Sequence, residues 1–321
     1  MDLIKWLLDG DVAIAYQTKR DLIGVDDHKL KSAISEQGFG KRLLDLQQID
    51  GHWGGGYYNK KWISTHYTLM ELRRLNINPT PGIMKAVNII LDSYTTEDGG
   101  ITPSPTRWKI SDVCMNGMLL HAFAYFKAKA EKLESIVDFI LSQQLPDGGY
   151  NCEYNRPDKI VKHSSLHSTL SLIEGMTSYL DQGYSYRKDE IIKQREMAIE
   201  FILMHRLFKS DHTGLIIKKS FLMLSYPPRW KYDILRALDA FREARVPYDQ
   251  RMEDALEVLI EKRRKDGTWP VQQKYPGQVH FDMEKTGGSS RMNTLRALRV
   301  IKYYQPEKFG KFGLQDSIPV L

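Results

Sequence analysis

Five times along the chain a helix-spaced apolar segment runs into a short loop built on aspartate and glycine. The loops read LQQIDGHWGGGYY (46–58), DSYTTEDGGIT (92–102), LSQQLPDGGYN (141–151), HRLFKSDHTGL (205–215) and IEKRRKDGTWP (260–270). Their aspartates, Asp50, Asp98, Asp147, Asp211 and Asp266, are 48, 49, 64 and 55 residues apart. A unit of about fifty residues is too long for one helix and suits a pair of helices joined by a loop.

The two helices of each pair differ in character. Segments ahead of the aspartates, such as IMKAVNIILDSY (83–94) and ESIVDFILSQQ (134–144), carry apolar residues along one stripe and polar residues on the other, as an outer helix with one wet face requires. Segments after the loops, such as DVCMNGMLLHAFAYF (112–126) and SSLHSTLSLIEGM (164–176), are richer in small and apolar residues and read as helices buried on more sides. Counting DVAIAYQTKRDLIG (11–24), six helices are of this second type. The sharp inner and outer contrast, without polar capping repeats, favours hairpins that close on themselves over an open stack. Extended segments such as GLIIKKSF (214–221) are isolated, so the reading is one all-α domain over 1–305 with a C-terminal tail over 306–321.

Composition narrows the class. The chain is 42% hydrophobic and 27% charged, enough to bury a sizeable core. Its net charge of +6 is spread among 40 acids, and the densest basic run, EKRRK (261–265), falls where a helix C-terminus welcomes cations. Nucleic-acid binding is therefore not expected. Two cysteines are too few for a disulfide framework and fit a reducing, cytoplasmic setting. No apolar run reaches the length of a membrane span, and LIKWLL (3–8) is too short for a signal peptide.

A helix ending in Gln-Gln, then an acid, glycine and an aromatic, resembles the repeat of squalene and oxidosqualene cyclases and of protein prenyltransferase β subunits. LLDLQQIDGHWG and ILSQQLPDGGYN carry the resemblance best, and VLIEKRRKDGTWP lacks the glutamine. The resemblance implies an α/α toroid of about six hairpins, with the loops and the starts of the inner helices facing a central cavity. It also implies a hydrophobic, isoprenoid-type ligand held by aromatic walls, whose faces accept both hydrocarbon and cations. Candidate liners are Tyr57, Tyr58, Trp62, His66, Trp108 and Trp230. Arg229 and Arg291 are candidates to hold a diphosphate through charge-assisted bonds.

Three chemistries fit such a frame. Acid-initiated cyclisation requires Asp-x-Asp-Asp, and the nearest string, GVDDH (24–28), has glycine in place of the first acid, so a class II cyclase is not expected. Protein prenyltransferases bind zinc through an Asp-x-Cys pair at one inner-helix start and a histidine at a later one. By that resemblance Asp112, Cys114 and His167 are candidate zinc ligands, with His163, four residues before His167, as a second or substitute ligand. The competing readings are that Asp112 is an N-cap, Cys114 a small core residue, and HSSLHST a helix start capped by Ser164 or Ser165. Glycosidases and lyases on the same frame would need paired carboxylates, which Asp112 and Asp233 at inner-helix starts could supply. A toroid that binds a polyprenyl or other lipid without chemistry is the non-enzymatic alternative.

Overall fold

The computed structural model describes residues 2–107, 110–152 and 161–312. The chain is mostly helical. Its helices are α1 (Leu3–Leu8), α2 (Val12–Thr18), α3 (His28–Ala33), α4 (Gly38–Leu44), α5 (Thr65–Arg74), α6 (Pro81–Ser93) and α7 (Val113–Tyr125). They continue as α8 (Ala130–Ser142), α9 (Leu166–Asp181), α10 (Lys188–Met204), α11 (Ile234–Glu243), α12 (Glu253–Glu261), α13 (Arg291–Tyr304) and α14 (Pro306–Lys311). Among the described residues, β structure amounts to isolated bridges and one two-residue antiparallel pair, Trp269–Pro270 with Ser289–Ser290.

The expected contrast between first and second helices is present. In α6, Thr80 Oγ1 accepts the Ile83 N–H, Pro81 opens the first turn, and only Ile83, Ala86, Val87, Ile90 and Leu91 are buried. Those positions are one stripe of a 3.6-residue helix. In α7, by contrast, burial runs almost unbroken from Val113 to Ala124.

The loops at Asp98 and Asp147 are built alike. Asp98 accepts from the Gly100 N–H at 2.9 Å and from the Ser111 N–H at 2.9 Å, and Asp147 accepts from the Gly149 N–H at 3.3 Å and the Ser164 N–H at 2.8 Å. Each carboxylate thus folds its own turn and fixes the chain just ahead of the next helix. Just beyond the aspartate, the N–H of Trp53, Tyr150 or Trp269 donates to a threonine hydroxyl, that of Thr65, Thr169 or Thr294; Asn116 does the same for Ile101. Trp53 and Trp269 are fully buried, and each indole N–H donates at 2.7 Å to a carbonyl ten residues back, that of Leu43 or Leu259.

The glutamines close the joint from outside. Gln47 Nε2 donates to the carbonyls of Gly51 and Gly82, and Gln144 Nε2 to those of Gly148 and Gln194. These two joints are thereby tied to α6 and α10, the first helices of the next pairs. The glycines after the aspartates show the same step, because their positive φ and close approach leave no room for a Cβ. A Cβ on Gly99 would lie 2.9 Å from the Ser135 carbonyl oxygen in α8, and one on Gly148 would lie 2.9 Å from that of Met197 in α10. One on Gly267, in the last loop, would lie 3.1 Å from Leu3 in α1.

The second helices also contact one another in order: α5 with α7, α7 with α9, α9 with α11, α11 with α13, and α13 with α2. The α7–α9 contact is closest, since a Cβ on Gly175 would stand 2.5 Å from the Gly117 carbonyl oxygen. GVDDH is a loop between helices: Gly24 is left-handed, Asp26 accepts the Tyr16 hydroxyl and Asp27 caps α3. The segment read as a tail begins as α14, whose Phe309 is buried. None of the described helices is long and apolar enough to cross a membrane.

Candidate functional site

Side chains at the starts of α5, α7, α9 and α11 come together. Trp62 and Ile63 precede α5, Asp112 and Cys114 open α7, His167 lies in the first turn of α9, and Trp230 and Lys231 precede α11. Trp62 is nearly buried and its indole N–H donates to the Pro276 carbonyl at 2.6 Å. The Lys61 ammonium stands 5.0 Å from the Trp62 ring and 5.6 Å from the Trp230 ring, which places both indoles around one cation. Lys231 lies 3.8 Å from the Trp230 ring, and Lys218 lies 5.8 Å from that of Phe221.

His167 packs between these groups. Its ring centroid is 5.2 Å from Phe221 and 5.3 Å from Trp230, and Nδ1 accepts the Tyr232 N–H at 2.8 Å. Burial and then the nearby Lys218 and Lys231 push its pKa down to about 3, so the imidazole is neutral at ordinary pH. Burial also lowers Lys231, and Lys61 and Lys218 lower it further. Among the described residues, none of these three lysines has a carboxylate partner within salt-bridge distance.

Tyr57, Tyr58, Tyr67 and His66 form an aromatic cluster behind Trp62, with the His66 ring 5.9, 5.2 and 4.8 Å from Tyr57, Tyr58 and Tyr67 respectively. His66 is fully buried, neither ring nitrogen has a hydrogen-bond partner among the described residues, and burial pushes its pKa down to about 3. Tyr57 donates to the Met115 sulfur, and Tyr58 shares a hydrogen bond with Tyr67.

Cys114 engages Cys152. The Cys114 N–H donates to the Cys152 sulfur at 3.1 Å, as does the Ser168 hydroxyl at 3.2 Å. Hydrogen bonding from the Cys114 thiol is the main influence holding the Cys152 thiol below its usual pKa, whereas the same bond and burial raise that of Cys114. Asp112 is the N-cap residue of α7 without a side-chain cap bond, and its charge reaches Lys61 and both thiols.

Several expected site residues have other occupations. The four-residue spacing of His163 and His167 does not put them on one helical face, because α9 begins only at Leu166, after the N-cap Ser165. His163 is exposed and lines an outer groove with Asp147, Glu196 and His212. Asp233 is fully buried and caps α11: Oδ1 accepts the Arg236 N–H at 2.8 Å and Oδ2 the Ser225 hydroxyl at 2.6 Å. Arg229 pairs with Glu71 in a buried ion pair and lies 5.2 Å from the Trp62 ring. Arg291 donates to the Trp6 carbonyl at 3.0 Å and stacks on its ring, tying α13 to α1. Trp108 lies outside the described residues. Among the described residues no three His, Cys, Asp or Glu side chains converge closely enough to hold a metal ion.

A second space lies among the same helices. This cavity of about 590 Å³ takes lining from α2, α5, α7, α9, α11 and α13, and nine cationic side chains face six acidic ones in it. The sequence reading missed both groups of cations. Lys61 and Lys231 each adjoin a tryptophan in KKW (60–62) and RWK (229–231), a signal that was legible. The buried arginines of α11 and α13 look like surface ion-pair residues until those helices are known to be covered on every side.

No protein-family model matches the chain, and no curated protein is significantly similar to it.

Proposed function

We propose that the chain is an α/α toroid of the terpenoid cyclase and protein prenyltransferase kind. Six second helices form its inner ring, and an isoprenoid-type ligand with an anionic head binds where those helices start. Two observations support the closed ring: α13 contacts α2, and the last aspartate loop approaches α1 as the loops of Asp50, Asp98 and Asp147 approach α6, α8 and α10. The repeat resemblance supports the family, and a covered inner ring accounts for the near-total burial of α7.

The observation that carries the ligand is the Lys61 ammonium held between the Trp62 and Trp230 faces, with Lys231 on the second face of the same group. Indole faces accept hydrocarbon, and partly desolvated ammoniums without carboxylates accept phosphate oxygens. Lys61 and Lys218 both depress Lys231, so an incoming diphosphate relieves repulsion on that ammonium as well as adding attraction. A neutral His167 beside them contributes an apolar ring face rather than another charge.

The proposed activity is binding, which needs no zinc. Asp112, Cys114 and His167, the set implied by resemblance, engage Cys152 and the Tyr232 N–H, among others. Elemental analysis of tag-free protein tests whether the set takes a metal. Calorimetric titration with farnesyl diphosphate, farnesol and inorganic pyrophosphate tests the binding reading. Tighter binding of the diphosphate ester than of either fragment supports it, and equal or absent binding of all three opposes it.

A further inference from the structure

The cavity among the second helices is unlike the aromatic mouth. Its walls are guanidiniums and carboxylates, most of them matched. Arg236 pairs with Glu174, Arg299 with Asp239 and Asp21, Arg73 with Glu243, and Arg245 with Asp181. Such pairs are the ordinary way to keep charge inside a protein.

Arg74 breaks the pattern. It is the last residue of α5, and of the cavity's arginines it alone has no carboxylate partner among the described residues. One Nη2 contact reaches the Arg229 carbonyl at a long 3.4 Å, while Nη1 is shielded from solvent and has no hydrogen-bond partner. A second orphan lies in the same wall. His121 of α7 is 6% exposed, and its Nε2 has no hydrogen-bond partner among the described residues. Arg73 Nε is a third buried donor left unmatched. Leaving a charged, buried donor unpaired is expensive, and a pocket wall is where a ligand can complete it.

We propose that this cavity binds a small oxyanion carrying two or more negative charges, with Arg74 and His121 as the direct donors. The excess of cationic over acidic lining fits an anion of that charge. At about 590 Å³ the space suits a phosphorylated or polycarboxylate metabolite and is within the range of small-molecule sites. The fully paired arginines fix the shape, and Arg74 supplies the unspent charge. The side chains proposed as donors here, Arg74 and His121, are not those proposed for the ligand at the aromatic mouth, so the two sites are tested separately.

Calorimetry with inorganic pyrophosphate and with citrate, on the full chain, tests the proposal. A saturable one-to-one isotherm is expected with at least one of the two, and the stronger binder identifies phosphate or carboxylate chemistry. Arg74→Gln should weaken it about tenfold or more, and His121→Phe should weaken it severalfold, while the Lys61→Ala/Lys231→Ala double variant leaves it unchanged. If Arg74→Gln does not fold by far-UV circular dichroism, the His121→Phe variant and the ligand-induced rise in Tm of the parent decide the matter. No binding of either anion at millimolar concentration, or binding lost with the lysines rather than with Arg74 or His121, overturns the proposal.

Discussion

Arg236 and Glu174 face each other in a two-pronged pair, Nε to Oε1 at 2.8 Å and Nη2 to Oε2 at 2.6 Å, joining α11 to α9. Both side chains are almost wholly buried, and the Arg236 side chain also reaches the Lys231 carbonyl and the Ser171 hydroxyl. Burial alone would raise the Glu174 carboxyl, but the Arg236 charge and hydrogen bonds override it and hold the pKa at about 2. Glu174→Ala strands the guanidinium and should cost about 3–5 kcal/mol in urea unfolding. The folded value lies below the usual unfolded one, so this contribution is complete above about pH 5 and fades as pH falls toward 2. Glu174→Gln should therefore flatten the acid limb of the stability profile; an unchanged limb would show that Glu174 does not carry it.

The aspartate loops should rank by how many donors each carboxylate holds. Asp98 accepts from the N–H groups of Gly100 and Ser111 and from two hydroxyls, whereas the structure gives Asp50 one bond, from the His52 N–H. At roughly 0.5–1.5 kcal/mol for a typical bond, Asp98→Ala should destabilise by about 2–3 kcal/mol and Asp50→Ala by about 1 kcal/mol or less. Equal losses in denaturant titrations would contradict the assigned bonding.

Where α7 and α9 touch, there is no space for a methyl group. Gly175→Ala would place a Cβ against the Gly117 carbonyl and should cost about 1–3 kcal/mol, felt as a lower Tm. Gly183→Ala, where nothing lies within 4 Å but φ is positive, separates backbone strain from this clash.

The two thiols should differ in reactivity. Cys152 receives hydrogen bonds from the Cys114 N–H and the Ser168 hydroxyl and sits below its usual pKa, while Cys114 sits above. Alkylation at neutral pH, read by peptide mass mapping, should modify Cys152 first, and Ser168→Ala should slow it. Faster modification of Cys114 would reverse the assignment.

Much of the architecture was legible because it rests on periodicity and punctuation. The stripe of α6, the all-round burial of α7 and the loops at Asp98 and Asp147 follow from patterns a single sequence displays. Asp112 as the residue opening α7 and the aromatic company of Trp62 and Trp230 were also within reach. What was not legible depends on which residues meet across repeats. Asp233 looks like a free carboxylate until Ser225 and the Arg236 N–H take both its oxygens. Arg291 looks like an anion site until Trp6, far away in sequence, lies beneath it. The Cys114–Cys152 meeting links adjacent repeats, and no local spacing encodes it.

In the proposed site an anionic isoprenoid lies against Trp62 and Trp230 with its head among Lys61, Lys218 and Lys231. Titration of the Lys61→Ala/Lys231→Ala double variant with farnesyl diphosphate, followed by tryptophan fluorescence, tests this most directly. Losing two charge-assisted contacts should weaken binding about tenfold to a hundredfold relative to the parent, with the fold intact by circular dichroism. An unchanged dissociation constant in that variant, or no binding by the parent chain, would contradict it.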